Sequence, residues 1–444
     1  MKKPREGSWS RRRFLKAAAA GGGAVAMPSV VASGLFAAHA PSSRITLACI
    51  GVGRMGRGDM RSVLGFRDAQ VVAVCDVDAR RLEDARSTVK AYYARQKADG
   101  TYTGCAKYGD FRELIAREDI DAVLIATPDH WHALPAIAAA RSGKDVFIQK
   151  PLTLTIPEGR VLSDAVRRYG RVLQVGSQQR SDTRFRFACE LVRNGRIGEL
   201  KTVKVGFGRD PFTTPQQSTP PPEWLDYEMW LGPAPRVPYI EKRVHPQTGY
   251  GRPGWLRTSD YCCGMITGWG SHHMDIAHWG MGMEYSGPVE IEAQAEYAKE
   301  GPWDVHGAFR INYVYPNGVK VICADNRKNK QGVLFEGTDG WVYVRRGHID
   351  ASPKSLLRSV IAPNELRLYR SSSHKGNFLE CIRTRRETVA PVEIGHRSNT
   401  ACVLGYIAMR LGRRLKWSPQ RERFTNDDEA NRMLTRSMRS PWRL

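Results

Sequence analysis

The chain has 444 residues, 41% hydrophobic and 25% charged, the balance of a globular protein of two or three domains and not of a fibrous or disordered one. Its formal charge of +23 raises nucleic acid as a partner. The arginines are scattered among acids and no basic run is interleaved with aromatics, so nucleic acid is set aside. The first 40 residues carry seven basic side chains against Glu6, and a chain trimmed there keeps +17.

"SRRRFLKAAAAGGGAVAMPSVVASGLFAAHA" (Ser10 to Ala40) reads as a basic segment, a weakly apolar Ala/Gly stretch and small-residue cleavage sites. That is a signal peptide, too short and glycine-rich for a membrane span. Ser10-Arg11-Arg12-Arg13-Phe14-Leu15-Lys16 matches the twin-arginine export motif. The expectation is export to the periplasm or another extracytoplasmic space, with the twin-arginine machinery as a partner. Cleavage falls near Ala26 or Ala40, or the leader stays as an anchor. The nine cysteines, several inside apolar runs such as "TLACIGVG" and "KVICAD", read as small buried hydrophobes and not as a disulfide framework.

From Arg44 onward, "ITLACIGVG", "QVVAVCDVD", "IDAVLIATP", "KDVFIQKP" and "RVLQVGSQ" are continuous apolar runs, as in strands buried on both faces. Helices are expected over 54–65, 79–99, 110–118, 131–142 and 157–169. This alternation predicts βαβ units and a parallel sheet. After about Gly176 come a helix ("RFRFACELVRNG"), a strand ("LKTVKVGFG"), a Pro/Trp/Tyr-rich loop over 210–261 and the histidine stretch "GWGSHHMDIAHW". Alternating strand segments follow, with hairpin turn signals in "YPNGVK" and "GTDGWV". The fold class is α/β: a Rossmann domain, then an α+β domain with a large open, mainly antiparallel sheet. Expected boundaries are 1–40 for leader and linker, 41–170 for the dinucleotide domain and 171–444 for the second domain, with closing helices in 376–444.

"CIGVGRMGRGDM" places Gly51-x-Gly53-x-x-Gly56 directly after the first strand. Gly51 makes the tight turn, Gly53 lets backbone approach a pyrophosphate, and Gly56 allows close helix–strand packing. Arg54 and Met55 share that turn and so the cofactor surface. The phosphates meet a helix N-terminus. Asp76, ending the second strand, accepts hydrogen bonds from a ribose diol and repels a 2′-phosphate. That favours NAD over NADP, although Arg80 and Arg81 lie nearby.

The leader, "GVGRMG", "ATPDHWHA", "IQKPLT" and "WGSHHMDIAHW" together resemble the Gfo/Idh/MocA oxidoreductases, over essentially the whole chain after residue 44. The resemblance implies that the open sheet of the second domain mediates homo-oligomers. It implies that Lys150 lies beside the nicotinamide and hydrogen-bonds the reacting hydroxyl, with Pro151 often in a cis peptide bond. The family's Glu-Lys-Pro is here Gln149-Lys150-Pro151, so the lysine is kept and the acid is not. His272 matches the family's acid/base histidine, which suits an imidazole. The Asp expected four residues earlier is Gly268, so another group must fix its tautomer. Asp275 is a candidate for orienting the site or binding substrate.

Three readings of His272 stand: proton transfer, which is favoured; a structural or substrate-bonding histidine; and a metal ligand. No metal is assigned, because His272, His273 and Asp275 do not converge from one helix without a distant ligand such as His245 or His306. Thr127, Pro128 and His132 are expected beside the nicotinamide, His132 equally as a packed helix-start residue. Gln178 and Gln179 are expected near the cleft. Trp224, Tyr227 and Trp230 offer aromatic faces for a sugar or pack the long loop onto the domain. The leading expectation is an exported NAD(H)-dependent oxidoreductase acting on a hydroxyl of a sugar, polyol or glycoside. Two alternatives are kept: a glycoside-cleaving enzyme working by oxidation, elimination and re-reduction, and a non-catalytic sugar-binding protein.

Overall fold

The computed structural model describes residues 44–444; the leader and its twin-arginine motif lie outside the described residues. Six short apolar strands form a parallel sheet in the order β3-β2-β1-β4-β5-β6. They are β1 (Ile45–Ile50), β2 (Ala69–Cys75), β3 (Ala106–Tyr108), β4 (Ala122–Ile125), β5 (Asp145–Ile148) and β6 (Leu173–Val175). The order reverses between β1 and β4, and that switch point opens a crevice at the carboxyl ends of the strands.

The helices that cross over the sheet include α1 (Arg54–Leu64), α2 (Ala79–Tyr92), α3 (Ala133–Arg141) and α4 (Ile156–Arg168). Asp78 caps α2 by accepting from the Arg80 and Arg81 amides, and Thr155 with Glu158 forms a capping box on α4. The single helix expected over 79–99 breaks at Tyr93. Its buried ring is drawn to the sheet, where the hydroxyl accepts from the Val71 amide at 3.4 Å.

The second sheet has nine strands in the order β13-β12-β11-β7-β10-β9-β8-β14-β15. These are β7 (Leu200–Phe207), β8 (Glu290–Tyr297), β9 (His306–Val314), β10 (Lys320–Asp325), β11 (Gly332–Gly337), β12 (Trp341–Arg345), β13 (His348–Ser352), β14 (Leu415–Ser418) and β15 (Arg423–Phe424). All pairs are antiparallel except β7 with β10. The inward side chains of β7, Val203, Val205 and Phe207, share one core with α5 (Thr183–Arg193), α6 (Gly270–Met281) and α8 (Val392–Leu411). Every residue of α6 is buried. It packs so closely that a Cβ on Gly280 would meet the Phe335 ring at 2.4 Å.

Two expected boundaries move. The parallel sheet continues past residue 170, because β6 pairs with β5 through Val146–Leu173 and its neighbours. The closing segment is not all part of the second domain. Helix α7 (His374–Thr384) sends Phe378, Leu379 and Cys381 into the core that holds Leu47, Phe147 and Val172. β14 and β15 lie where only helices and a tail were expected; Leu415 and Lys416 pair with β8 and extend the sheet beyond it. The nine cysteines are buried and unpaired. No helix among the described residues is long and apolar enough to cross a membrane.

Candidate active site

The crevice at the switch point is a cavity of about 640 Å³, closed on its far side by the loop that follows β7 and by the start of α6. Its cofactor end is set by glycine geometry. Gly51 has φ +80°, and a Cβ there would lie 2.8 Å from the Ala126 and Thr127 backbone. A Cβ on Gly56 would lie 1.8 Å from the Gly51 carbonyl oxygen, so this glycine serves packing and does not face the cavity. Gly53, Arg54 and Met55 line the wall, as do Thr127 and Pro128. The Thr127 hydroxyl is buried without a partner. The Asp76 carboxylate accepts from the Val52 amide at 2.8 Å and the Asp78 amide at 3.0 Å. Burial raises its pKa while these donors oppose. A carboxylate oxygen holds more than one hydrogen bond, so Asp76 keeps acceptor capacity for a ribose diol. Glycine cradle, helix N-terminus and terminal acid fit a dinucleotide.

The loop over 210–261 is stitched along the β2–α2 edge. The Ala79 amide donates to the Trp224 carbonyl at 2.9 Å, and Asp226 to Val77 at 3.0 Å. The His245 ring meets Asp78 at 2.9 Å, and the Arg81 guanidinium donates to the Pro246 carbonyl at 2.8 Å. The Trp131 indole donates to the Trp230 carbonyl at 2.9 Å. Trp230, Arg252 and Trp255 thereby become cavity wall. Of the three loop aromatics expected either to face a sugar or to pack the loop, Trp224, Tyr227 and Trp230, only Trp230 lines the cavity. Trp224 does not: it is 36% exposed, under the Arg80 guanidinium at 4.3 Å, with its indole donating to Gln247.

At the chemical end Lys150 follows β5, and its bond to Pro151 is cis. Burial pushes the ammonium pKa down and the field of Asp129 opposes it. Asp129 is 2% exposed, lines the same cavity, and has one carboxylate oxygen without a partner. Burial lifts its pKa to about 7, against the pull of Lys150. Gln149 also lines the wall, but its amide nitrogen donates to Asp59 at 2.7 Å, and Asp59 pairs with Lys375 at 2.7 Å. His132 is pinned between the Pro151 carbonyl at 2.6 Å and the Thr127 carbonyl at 3.0 Å, and burial lowers its pKa to about 4. Neutral, with a single N–H, it donates to one of these carbonyls and packs against the other, holding the Lys150–Pro151 turn beside the end of β4.

The three histidines of α6 go to three different places. His272 lines the cavity; its Nδ1 is buried without a partner. Burial, reinforced by Lys150 and Arg346, holds its pKa well below the ordinary value, so the ring is neutral. His273 bonds the Gly206 carbonyl through Nδ1 at 3.0 Å, and His278 bonds the Tyr315 hydroxyl at 2.6 Å. Gly268 shares the cavity wall with His272 but offers no side chain to it.

Asp275 does not reach the cavity, which corrects its expected contact with substrate. It forms a buried bidentate pair with Arg180, at 2.6 and 2.9 Å. Arg180 belongs to the turn Gln178–Ser181, so Asp275 anchors the turn that carries Gln178 into the cavity wall. Gln179 on that turn is buried with both amide atoms unpartnered. Sequence reasoning passed over Asp129, Trp255, Trp269, Arg252 and Arg346, all cavity-lining. Asp129 was within reach, since it sits inside "TPDHWH" two residues after the strand-end threonine. Arg346, in a hairpin turn of the second sheet, carried no local signal.

The fold and the site define a dinucleotide-dependent oxidoreductase, with a Rossmann half and a second half built on a nine-stranded sheet. Residues 45–177 match the oxidoreductase family's NAD-binding Rossmann fold, and residues 209–444 its C-terminal alpha/beta domain. The chain belongs to the Gfo/Idh/MocA oxidoreductase family, and its cofactor is NAD. It is 32% identical over 186 residues to scyllo-inositol 2-dehydrogenase (NAD(+)) of Bacillus subtilis (strain 168), covering 41% of this chain and 48% of that one. It is 30% identical over 156 residues to a glycosyl hydrolase family 109 protein of Shewanella pealeana, covering 35% and 33%. Each of these matches spans less than half of the curated relative. Among solved structures it resembles the WlbA dehydrogenase from Bordetella pertussis in complex with NADH and UDP-GlcNAcA. The TM-score there is 0.61 at 16% identity, over 84% of this chain and 99% of that one, a likeness of fold alone.

Proposed function

We propose that this protein transfers hydride between NAD and a CH–OH carbon of a sugar, polyol or glycoside, with the NAD retained between turnovers. The observation that carries the retention is the loop over 210–261, bonded to Asp78, Ala79 and Arg81 across the nucleotide edge of the sheet. Bound NAD supplies the hydride acceptor. Lys150 donates a hydrogen bond to the substrate hydroxyl oxygen and stabilises the negative charge that develops there. His272, neutral because burial lowers its pKa, takes the hydroxyl proton on a ring nitrogen. Asp129, lifted to about 7, exchanges a proton with Lys150 and so replaces the acid absent at Gln149. Gln178 offers an amide to a second hydroxyl, and Trp230 and Trp255 exclude water.

Three further readings go with this one. Ser10–Lys16 directs export by the twin-arginine route to an extracytoplasmic space, where a retained cofactor must be recycled in place. The face of the nine-stranded sheet not covered by α5, α6 and α8 is the homo-oligomer contact. Gly51, Gly53, Arg54, Met55 and Asp76 hold the dinucleotide.

The test uses protein exported by its own leader. Denaturation and mass spectrometry of the released small molecules are expected to give stoichiometric NAD(H). An empty site would overturn the retained cofactor. The partial likeness to a glycosyl hydrolase family 109 protein favours one alternative, glycoside cleavage. Release of an aglycone from a single glycoside without net NADH would replace simple dehydrogenation by that chemistry. If Lys150→Ala and His272→Ala both left every detected activity unchanged, a binding protein would be the better reading.

A further inference from the structure

Beside the catalytic cavity lies a second recess of about 280 Å³, lined by Trp269, His273, Lys330, Tyr343, Arg345 and Arg346 among others. It shares Trp269 and Arg346 with the cavity wall. Three cations converge there: Lys330 from the β10–β11 connection, Arg345 at the end of β12 and Arg346 in the β12–β13 turn. No acidic residue lines the recess. Among the described residues none of the three has a carboxylate within the 4.0 Å of an ion pair. Other basic residues of this chain do find acids: Arg160 pairs with Glu393 and Glu422, and Arg413 with Asp427 and Glu429.

All three residues are exposed, but two of the heads are held against rings. The Arg346 guanidinium lies 4.7 Å over the Trp269 ring and the Lys330 ammonium 4.5 Å over the Tyr343 ring, contacts that fix charge in place. Like charges gathered with no carboxylate in ion-pair reach, Asp182 acting on Arg346 only from farther away, favour an anion in the recess. The His273 ring, bonded to the Gly206 carbonyl, adds no charge of its own.

We propose that this recess is a subsite for an acidic group, a carboxylate or a sulfate ester, on a saccharide whose reacting hydroxyl lies in the adjoining cavity. The substrate is therefore an anionic sugar extending beyond the reacting unit, with Arg346 and Trp269 at the junction. This rests on the carbohydrate reading above and narrows it. Asp76 and the glycine turn line only the other cavity, so the recess is not part of the nucleotide site.

The experiment uses full-length protein with its bound NAD and a panel of matched disaccharides. Uronic-acid members are paired with carboxyl-reduced counterparts, and sulfated members with unsulfated ones. Binding is read by tryptophan fluorescence and turnover by the absorbance of NADH. Within at least one pair the acidic member is expected to bind about tenfold or more tightly, the least expected when a hydrogen bond to a charged group is lost. That advantage should shrink with added salt and be abolished in Lys330→Ala with Arg345→Ala, with binding of the neutral member unchanged. Which pair shows it decides between carboxylate and sulfate. A panel in which no acidic member exceeds its neutral counterpart, or a preference that survives the double substitution, overturns the subsite. An acidic preference with neither reduction of the bound NAD nor any sugar product keeps the subsite and removes the redox reading. Turnover of neutral members with no acidic preference does the reverse.

Discussion

The two ends of the cavity are built in opposite ways. At the cofactor end each functional residue lies within two positions of the end of a strand of one parallel sheet, Gly51 after β1, Asp76 after β2 and Thr127 after β4, and the same sheet delivers Lys150 after β5 to the chemical end. The sheet aims them all at one crevice, so their identity and place come together. The other carrier at the chemical end is a helix buried on every side. Its side chains radiate into different surroundings, and only His272 of its three histidines meets the cavity. A strand end converts local sequence into a common site; a buried helix distributes the same residue type among unrelated tasks.

Several substitutions sharpen that contrast, from the largest expected effect to the smallest. Lys150→Met or His272→Ala should lower kcat by about 10²–10⁴-fold with unfolding temperature nearly unchanged, whereas His273→Ala and His278→Ala should lower stability and spare kcat per folded molecule. Asp275→Asn leaves Arg180 buried without its full partner and should cost about 3–5 kcal/mol in urea unfolding. It should also raise KM through the Gln178 turn, an effect that Asp275→Leu combined with Arg180→Met would separate from stability. Gly51→Ala forces a side chain to φ +80° against the Ala126 backbone, costing about 1–3 kcal/mol, and should yield protein without NAD.

The buried histidines give a pH signature. His132, His273, His306 and His374 are lowered to about 4, and His130 and His278 to about 3, chiefly by burial. The unfolded chain binds protons near pH 6.5 that the folded chain refuses. Their stabilising contribution is therefore complete above about pH 6.5 and lost as pH falls toward 4, which thermal melts across that range would record. The smallest effect belongs to Trp224→Ala. Half-exposed and off the cavity, it should change stability and turnover by no more than about 0.5 kcal/mol.

The parallel sheet was legible because its strands are buried on both faces and read as unbroken apolar runs, and the Gly51–Gly56 turn because its spacing has one steric meaning. The hairpins of the second sheet were legible from alternation and turn chemistry. What stayed hidden depends on long-range pairing. Arg180 and Asp275 are 95 residues apart, so nothing local marks Asp275 as an anchor. Asp59 answers for Gln149 from 90 residues away. Trp224 and Trp230 are chemically alike, and only the stitching of the loop decides which one faces inward.

Helix α7 returns from near the end of the chain to fill the core around Phe147. The nucleotide-binding half therefore cannot complete its core during synthesis until about residue 381 has left the ribosome. By then the whole nine-stranded sheet except its two last edge strands has also been made. The two halves must mature together after translation, and truncation before α7 would leave an apolar groove beside β5 open to aggregation. The chain is two domains in architecture and one unit in the timing of its folding.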